Sequence, residues 1–505
     1  MLIICINKKL KTNEDKESGE TKKIIYKGKE KIIPIRNPDP KNCELYIIKK
    51  GKYCHFEKYK NSQYCVYHRA EEKEENEEYL TCPYDPKHKI LKHKFKNHLK
   101  VCNTLSNEKK LEKEEWFIKD FNKAKQDKKY IVPNDEELNK LYDIKTEMIS
   151  PEEFEHYIQV ILKSYEICKN LYSKYIKDND LENYVNKNLN INIKNKEIFY
   201  KISGININID EDLKQTEQRK HLEKHSIQNE ALTDLVFKSG LMDKNSDNTI
   251  IVEFGAGKGG LTEEINKKNK DKNVYILLER SGVRFKKENK KQNNNFNSIR
   301  FKTDIINFNL NYIDNLDKII KKEGQKKIFE QKGYNIIGVA KHICGCAFDI
   351  SLTSLFNYEK QDKIKGLVMA TCCHHICRVE LLNHLYYYMD TLKLNLKEII
   401  FIIKSTSWLF SHDENIKGKD ENEKKNNFDE NKINLNEEKA KNKDEINNIF
   451  KKMNLSRRYF GMLSKYIIDI ARCFCLIDKG FTKVLYLKYC SNSITSENNV
   501  ILAIK

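Results

Sequence analysis

The sequence contains no long apolar run. Its longest wholly apolar segments, Met1–Ile6 and Ile399–Ile403, fall far short of the roughly 18 residues that a transmembrane helix needs. The first is also too short for a secretory signal, and its neighbouring charges, Lys8 and Lys9, follow it instead of preceding it. We therefore expect no membrane association and an intracellular location, in the nucleus or the cytoplasm.

Arginine is scarce although the chain is strongly basic. The 505 residues include 93 Lys and Arg against 74 Asp and Glu, a net charge of +19. This balance favours a polyanionic partner over an acidic protein or a neutral metabolite. Only ten of the basic residues are arginine, and lysine and asparagine crowd the whole chain, so much of the charge can reflect coding bias.

The length predicts several domains, since domains average about 150 residues. Residues 1–32 are polar and aperiodic, which predicts a disordered lead. Two Cys/His-rich modules follow, and residues 106–215 predict a helical connector and a linker. Within the remaining domain, 216–505, residues 413–452 are almost entirely Asn, Asp, Glu and Lys, which predicts an insertion too polar to bury a core.

The domain from residue 216 onwards predicts an α/β fold. Short β-rich runs alternate with helical spacers, a pattern typical of a mostly parallel, doubly wound sheet. A terminal β-hairpin is predicted from Thr482–Cys490 and Val500–Ile504, which flank a Ser/Asn turn. The predicted strands before it are Thr249–Phe254, Val274–Glu279, Ser298–Lys302, Asn335–Lys341, Lys365–Thr371 and Glu398–Ile403.

The first Cys/His-rich module, residues 40–70, predicts a zinc finger. Its ligands would be Cys43, Cys54, Cys65 and His68, with ten, ten and two residues between them. Three thiolates and an imidazole form the soft, four-coordinate set that zinc prefers. The chain has fifteen cysteines, and in a reducing compartment such clusters indicate metal or active-site use rather than disulfides.

The second module, residues 79–105, predicts another zinc finger. Its ligands would be Cys82, His88, His98 and Cys102, and the last two stand four apart on a helical pattern, so both can project from one face. The alternative is ordinary buried cysteine and solvated histidine, with His55 and His93 as further candidates. A region with so little apolar material has few other means of folding, which favours metal.

A glycine-rich loop follows the first strand of the α/β domain. Glycines there let the backbone approach a ligand that also faces the N-terminus of the next helix. Gly255, Gly257 and Gly260 fit the dinucleotide pattern G-x-G-x-x-G, whereas Glu253, Gly255, Gly257 and Gly259 fit the E-x-G-x-G-x-G pattern of S-adenosylmethionine (AdoMet) enzymes. The loop alone is thus compatible with dinucleotide binding, with AdoMet binding and with a purely structural turn.

Acidic residues at later strand ends favour AdoMet. Glu279 ends the second strand, where a carboxylate would accept the ribose hydroxyls in either class. Glu253 suits a ligand that carries a positive amino group, and Asp304 is placed to accept from an adenine amino group. The terminal hairpin is also typical of AdoMet-dependent Rossmann-like domains, so we predict a methyltransferase.

Candidate catalytic residues follow the fourth and fifth strands. Chemistry in open α/β sheets lies at the carboxyl ends of the strands, which places Lys341, His342, His374 and His375 where they could position or deprotonate a nucleophile. Zinc on the run Cys372–His375 is disfavoured, because adjacent residues of an extended loop point in opposite directions. A zinc deaminase would need H-x-E with P-C-x-x-C, and this pair does not occur.

The combination of modules resembles a known family over nearly the whole chain. The order of CCCH finger, CHHC finger and AdoMet domain is similar to that of the eukaryotic tRNA 2′-O-methyltransferases that modify nucleotide 4 of the acceptor stem. The shared motifs are Glu253–Gly259, Lys341–Gly345, Cys372–His375, Ser405–Trp408, Gly461–Lys465 with Ile468, Asp469 and Arg472, and His221 with Ser226.

The resemblance implies a class I, Rossmann-like methyltransferase domain with AdoMet as cofactor and two structural zinc ions. It also implies methyl transfer to the ribose 2′-hydroxyl of nucleotide 4 in the tRNA acceptor stem, with Glu253, Glu279 and Asp304 holding AdoMet. Lys341 or a nearby histidine would assist the hydroxyl. Two alternatives remain, an inactive RNA-binding adaptor and a methyltransferase for protein or a small molecule.

Overall fold

The computed structural model divides the chain into two compact units, Met1–Lys110 and Leu111–Lys505. It describes residues 21–505 with four long gaps, 190–220, 288–296, 316–332 and 411–443. The shorter gaps are 27–28, 35, 48–50, 61, 66–67, 69–78, 84, 126, 128, 270–272, 285 and 493. Among the described helices none is long and apolar enough to cross a membrane.

The first unit consists of small elements around Cys and His side chains. Its strands pair as three antiparallel hairpins, β1 with β2, β3 with β4 and β5 with β6. Neither described helix of this region buries a residue, so the unit has little conventional core. The elements are β1 (Thr21–Tyr26), β2 (Lys29–Pro34), β3 (Tyr46–Ile47), β4 (Lys52–Tyr53), β5 (Tyr79–Cys82), β6 (Asp85–Leu91), α1 (Lys92–Val101) and α2 (Asn103–Leu111).

The β1–β2 hairpin corrects part of the predicted disordered lead. Ile24 pairs with Lys31 and Ile25 with Glu30 across the two strands. Backbone pairing can therefore order a segment that lacks the apolar content for a core, and composition alone does not reveal it. Residues 1–20 lie outside the described part of the chain.

The second unit is built on a seven-stranded, mostly parallel sheet in the order β12-β13-β11-β10-β7-β8-β9. The first five strands along the chain run parallel, and β13 lies antiparallel between β11 and β12, which confirms the predicted terminal hairpin. All residues of β7 and β8 are buried, as expected for strands covered on both faces. The strands are β7 (Thr249–Phe254), β8 (Val274–Leu278), β9 (Ser298–Phe301), β10 (Asn335–Cys344), β11 (Ile364–Cys372), β12 (Lys483–Lys488) and β13 (Asn499–Ile504).

Helices cover this sheet, and one of them was predicted as a strand. Glu398–Ile403 lies within α9, not in the sheet. The Asn395 side chain accepts from the Glu398 N–H, and Glu398 accepts from the Asn395 N–H, a reciprocal capping box that starts the helix. The helices are α3 (Asp135–Asp143), α4 (Pro151–Asp178), α5 (Leu181–Tyr184), α6 (His221–Lys238), α7 (Gly260–Asn269), α8 (Ala347–Phe356), α9 (Leu396–Ser405) and α10 (Arg457–Asp478).

The predicted connector is part of the second unit. The Tyr172 hydroxyl in α4 donates to the Val484 carbonyl at 3.2 Å and accepts from the Tyr486 N–H at 2.7 Å, both in β12. The Tyr157 ring stacks on Phe401 of α9 with centroids 4.5 Å apart. Because its apolar face packs on the α/β domain, the compact unit begins at Leu111 and not at the predicted boundary near 216.

The C-terminal end of the polar insertion is also part of this core. Residues 444–453 are helical, and Ile446, Ile449 and Phe450 are buried. The Phe450 ring lies 5.5 Å from Phe154 and 5.6 Å from Phe460 between centroids. The spacing of the three apolar residues is that of a helix face, so the prediction that 413–452 buries nothing is wrong for this part. Residues 411–443 lie outside the description.

We expect Phe450→Ala to lower the free energy of unfolding by about 3–5 kcal/mol, because it removes a buried ring and leaves a cavity. Chemical denaturation followed by intrinsic fluorescence would measure the loss. Lys451→Ala, at an exposed position of the same helix, is the matched control and should change stability by less than about 0.5 kcal/mol. Equal effects of the two substitutions would contradict the assignment of this helix to the core.

Candidate active site and zinc centres

The glycine loop between β7 and α7 adopts a backbone that favours glycine. Gly255, Gly257 and Gly259 have φ angles of +64°, +50° and +76°, in the left-handed region where a Cβ is strained. A Cβ at Gly255 would also stand 3.2 Å from the His342 carbonyl oxygen. At Gly257 a Cβ would meet nothing within 4 Å, so open space lies beside the backbone there.

Glu253, the last residue but one of β7, is buried beneath this loop. It is 3 % exposed and accepts hydrogen bonds from the Thr262 N–H at 3.2 Å and from the Thr262 hydroxyl. Burial raises the pKa of Glu253 to about 7, against the opposing effect of the Thr262 bonds and Lys341. The carboxyl group can therefore gain or lose a proton close to neutral pH.

The carboxylates predicted at the ends of the next two strands lie at the same edge. Glu279, directly after β8, accepts from the Gly257 N–H at 2.9 Å and from the Ser281 N–H at 2.8 Å. Asp304, after β9, accepts from the Ile306 N–H at 3.2 Å and lies 3.7 Å from Arg280. Glu253, Glu279 and Asp304 thus stand at or just beyond the carboxyl ends of three neighbouring parallel strands, the edge from which the glycine loop also leaves β7.

Lys341 and His342 lie on the other side of β7, near the end of β10. The Lys341 Nζ atom is 3.5 Å from His225 Nδ1, and burial lowers the Lys341 pKa despite the opposing effect of Glu253. The His342 ring reaches solvent, yet desolvation by surrounding protein and the charge of Lys341 lower its pKa to about 4. His342 is accordingly neutral at physiological pH, and Lys341 loses its proton more readily than an ordinary lysine.

The two histidines after β11 occupy different environments. His375 is exposed, whereas His374 is 2 % exposed and its Nε2 lies 2.8 Å from Asp469 Oδ1. Burial lowers the pKa of His374 although Asp469 opposes the shift, and the ring donates a hydrogen bond to the carboxylate. The structure thus places His374 against Asp469 inside the protein, and His375 at the surface.

Sequence reasoning attached no role to the charges beneath that loop. Arg472 in α10 donates to Asp349 Oδ2 at 2.7 Å, to Asp469 Oδ1 at 3.1 Å and to the Gly345 carbonyl at 3.0 Å. All three charged side chains are fully buried. Asp469 and Arg472 stand three apart within the otherwise apolar stretch Tyr466–Leu476 of this helix, and this pair of charges inside an apolar pattern was the available signal.

The four predicted ligands of the first finger converge. Their Sγ and imidazole nitrogen atoms all lie within 4.8 Å of one another. Cys54 and Cys65 Sγ are 4.0 Å apart, and His68 Nδ1 is 3.5 Å from Cys43 Sγ and 3.3 Å from Cys65 Sγ. Zinc–sulfur bonds of about 2.3 Å in a tetrahedron require sulfur separations of about 3.8 Å. The donor set therefore fits a zinc ion.

The second finger brings together Cys82 at the end of β5, His88 in β6, and His98 and Cys102 at the end of α1, within the same 4.8 Å limit. Cys102 Sγ lies 3.8 Å from both Cys82 Sγ and His88 Nδ1. The His98 Nε2 atom is buried without a hydrogen-bond partner, which a metal bond would satisfy. His55 and His93 belong to neither group.

Two family models match the chain. The model described as Methyltransferase TRM13 matches residues 227–504, more than half of the chain, and the one described as U11-48K-like CHHC zinc finger matches residues 79–103. The second match coincides with the Cys82–Cys102 finger. No solved structure matches the chain.

Similar proteins align over nearly the full length. The tRNA:m(4)X modification enzyme TRM13 of Vanderwaltozyma polyspora is 25% identical over 91% of this chain and 97% of its own. The homologues of that name from Mus musculus and Homo sapiens are each 24% identical, covering 91% and 92% of this chain and 93% and 94% of theirs. With more than half of its length matched by the family model, the chain belongs to the TRM13 methyltransferase family.

Proposed function

We propose that the protein transfers the methyl group of AdoMet to the ribose 2′-hydroxyl of nucleotide 4 in the acceptor stem of tRNA. The observation that carries the proposal is the placement of Glu253, Glu279 and Asp304 at the carboxyl ends of three neighbouring strands, at the edge that also carries the glycine loop. The relatives' shared name, tRNA:m(4)X modification enzyme, supports the tRNA and the position. A tRNA substrate also agrees with an intracellular location.

The strand order supports a Rossmann-like, class I methyltransferase domain. From β7 the sheet continues through β8 and β9 on one side and through β10 and β11 on the other. Ligands of open α/β sheets bind at such a reversal of strand order, outside the carboxyl ends. The glycine loop follows β7 and Lys341 lies near the end of β10, so the two flank this reversal.

Each acidic residue has a distinct part in cofactor binding. Glu253 would face the positive amino group, Glu279 would accept the ribose hydroxyls, and Asp304 would accept from the adenine amino group. The glycines at 255, 257 and 259 let the backbone approach the ligand. When bound, AdoMet supplies an electrophilic methyl group on a sulfonium.

The remaining chemistry belongs to the end of β10. A ribose hydroxyl is a weak acid, so its oxygen must be aligned and its proton removed as the O–C bond forms and the S–C bond breaks. Lys341 would stabilise the developing negative oxygen as a cation or accept the proton in its neutral form. His342, neutral and exposed, would orient the hydroxyl, and His375 would line the opposite loop.

The two zinc fingers are proposed to hold the RNA. An acceptor stem is an A-form duplex, recognised mainly through phosphates and 2′-hydroxyls across its wide minor groove. Lysine-rich fingers suit this recognition better than a base-reading pocket. Their two zinc ions are structural, because both donor sets supply four protein ligands and leave no position open.

Methylation of defined transcripts tests the proposal. The full-length protein with labelled AdoMet should methylate a tRNA transcript at nucleotide 4, detected by nucleoside mass spectrometry after nuclease mapping. A matched transcript with 2′-deoxyribose at nucleotide 4 alone should accept no methyl group. Methylation of the deoxy transcript, or RNA binding without any transfer, would contradict the 2′-hydroxyl assignment and favour base methylation or an adaptor.

AdoMet affinity should depend on pH through Glu253. The carboxyl group must be ionised to hold an amino group, and burial places its pKa at about 7 in the free protein. Below that pH binding must release a proton, so the affinity should fall about tenfold per pH unit. Calorimetry between pH 5.5 and 7.5 would measure this slope, and Glu253→Gln should bind more weakly with no such slope. An unchanged slope in that variant would assign the proton to another group.

A further inference from the structure

A third cluster of thiols lies at the carboxyl edge of the sheet, apart from both fingers. Cys344, near the end of β10, is the register partner of Cys372 in β11, and Cys373 follows directly. The three Sγ atoms lie within 4.8 Å of one another. The Sγ atoms of Cys344 and Cys372 are 3.6 Å apart, close to the 3.8 Å and 4.0 Å between paired thiols of the fingers.

The backbone at Cys373 explains how two adjacent residues share one cluster. An extended chain would send neighbouring side chains to opposite sides. Cys373 instead has φ +50° and ψ 44°, a left-handed conformation that is uncommon for a residue with a Cβ. Such strain persists where the surroundings or a ligand require it. The sequence disfavoured zinc here because adjacent residues of an extended loop point in opposite directions. Cys373 is not extended, so that argument does not apply to Cys372 and Cys373.

We propose that Cys344, Cys372 and Cys373 bind a third zinc ion. Three thiolates form a soft donor set that favours zinc over magnesium or calcium. Binding exchanges each S–H bond for an S–Zn bond and releases the thiol protons to solvent. Cys372 is buried, Cys373 half-buried and Cys344 exposed, so water could supply the fourth ligand.

The neighbouring buried group of potential ligands does not compete for this role. Cys346, Asp349 and Cys377 also lie within 4.8 Å of one another. Arg472 already occupies that group, with its guanidinium 2.7 Å from Asp349 Oδ2 and 3.5 Å from Cys377 Sγ. A second cation there would be repelled, whereas the Cys344 cluster faces no such fixed charge at hydrogen-bond distance among its described contacts.

The proposed ion would link the two loops that frame the site. Cys344 is three residues beyond Lys341, and Cys373 directly precedes His374. Zinc bonds to both loops would fix the end of β10 against the end of β11. The ion is thus a positioning element at the edge of the sheet, and the proposal does not depend on which substrate the enzyme methylates.

Zinc stoichiometry of the full-length protein tests the site. Purified under reducing conditions without AdoMet or tRNA, the wild type should contain three zinc ions per chain by plasma mass spectrometry. Cys344→Ser, at the exposed ligand, and Cys54→Ser, in the first finger, should each contain two, and the double variant one. Cys475→Ser, a buried cysteine outside every donor group, is the matched control and should retain three.

A second measurement covers the case in which a variant unfolds. Iodoacetamide should alkylate Cys344 slowly in the wild type, since zinc holds the thiolate, and at least tenfold faster in Cys372→Ser, which keeps Cys344 but lacks the site. Two zinc ions in the wild type, equal alkylation rates, a different metal, or a Cys344–Cys372 disulfide in the reduced preparation would each overturn the proposal. None of these outcomes bears on methylation of tRNA.

Discussion

Replacing Arg472 by methionine is expected to lower the free energy of unfolding of the second unit by about 3–5 kcal/mol. The substitution keeps much of the side-chain volume but leaves the fully buried carboxylates of Asp349 and Asp469 without their cation. Globular domains are stable by only about 5–15 kcal/mol, so the variant should be close to unfolding at 37 °C. Chemical denaturation of the full-length protein would measure the change.

Acid titration separates the charge of Arg472 from its packing. Burial alone would raise the pKa of Asp349 and of Asp469. Arg472 and His384 outweigh burial at Asp349, and His374 and then Arg472 outweigh it at Asp469, so both pKa values are lowered. Lowered carboxyl pKa values stabilise the fold above the unfolded value of about 3.9. This stability is lost as the pH falls through the folded values. The advantage of the wild type over Arg472→Met should therefore shrink progressively as the pH falls towards these folded values.

Two further variants control the interpretation. Lys479→Met changes an exposed cation at the end of the same helix and should alter stability by less than about 0.5 kcal/mol. Asp349→Asn in the Arg472→Met background should recover part of the loss, because it removes one uncompensated charge. A loss that is independent of pH and unaffected by Asp349→Asn would mean that packing, and not charge, is what Arg472 contributes.

The two central strands beside the glycine loop, β7 and β8, could be predicted from sequence because they are buried along their whole length. Thr249–Phe254 has the same bounds in the structure, and the other four parallel strands lie within three residues of their predicted bounds. The carboxylates at 253, 279 and 304 followed in turn, since the ends of parallel strands share one edge. The hydrophobic pattern of each strand and the order of strands and helices gave the same prediction, so the positions of these carboxylates could be predicted without knowledge of tertiary contacts.

The errors arose where an apolar run had two interpretations. Glu398–Ile403 has the length of a strand, and its apolar content cannot distinguish a buried helix from a strand. The capping pair Asn395 and Glu398 was the local signal that decided for a helix. A second error concerns residues 444–453. The polar composition of 413–452 predicted no buried residues, although three apolar residues at helical spacing indicated a packed helix.

Contacts between distant residues lay beyond sequence reasoning. His374 was predicted as a catalytic candidate because it follows a strand, but its partner Asp469 is 95 residues away. The direction of a side chain in a loop depends on backbone angles such as those of Cys373, which composition does not encode. Which histidine supports the loop and which one reaches solvent therefore emerges only from the fold.

Lys341→Ala is expected to reduce the single-turnover rate of methyl transfer by about 10²-fold or more, with little change in the dissociation constants of AdoMet and tRNA. The Nζ atom stands at the edge of the sheet beside the glycine loop, 3.5 Å from His225 Nδ1. Negative charge develops on the ribose oxygen in the transition state. Lys341, as an ammonium group or as a proton acceptor, would therefore stabilise the transition state much more than the bound substrates. Rapid-quench measurements with saturating substrates would give the rate.

Lys341→Arg distinguishes the two roles open to this lysine. Arginine keeps the positive charge at all accessible pH values but cannot accept a proton. If Lys341 is a cation towards the oxygen, the arginine variant should retain most of the rate. If Lys341 is the base, the variant should be as slow as alanine, and the wild-type rate should rise with pH up to the pKa that burial has lowered.

Neighbouring histidines supply the controls for this assignment. His375→Ala, at an exposed position of the β11 loop, should change the rate severalfold at most, whereas His374→Ala should destabilise the fold because it removes the buried partner of Asp469. A large loss of rate in His342→Ala with a normal rate in Lys341→Ala would transfer the role to His342. The lysine is favoured over that histidine because lowering its pKa towards neutrality brings a strong base into use, whereas a histidine pKa of about 4 leaves a weak one.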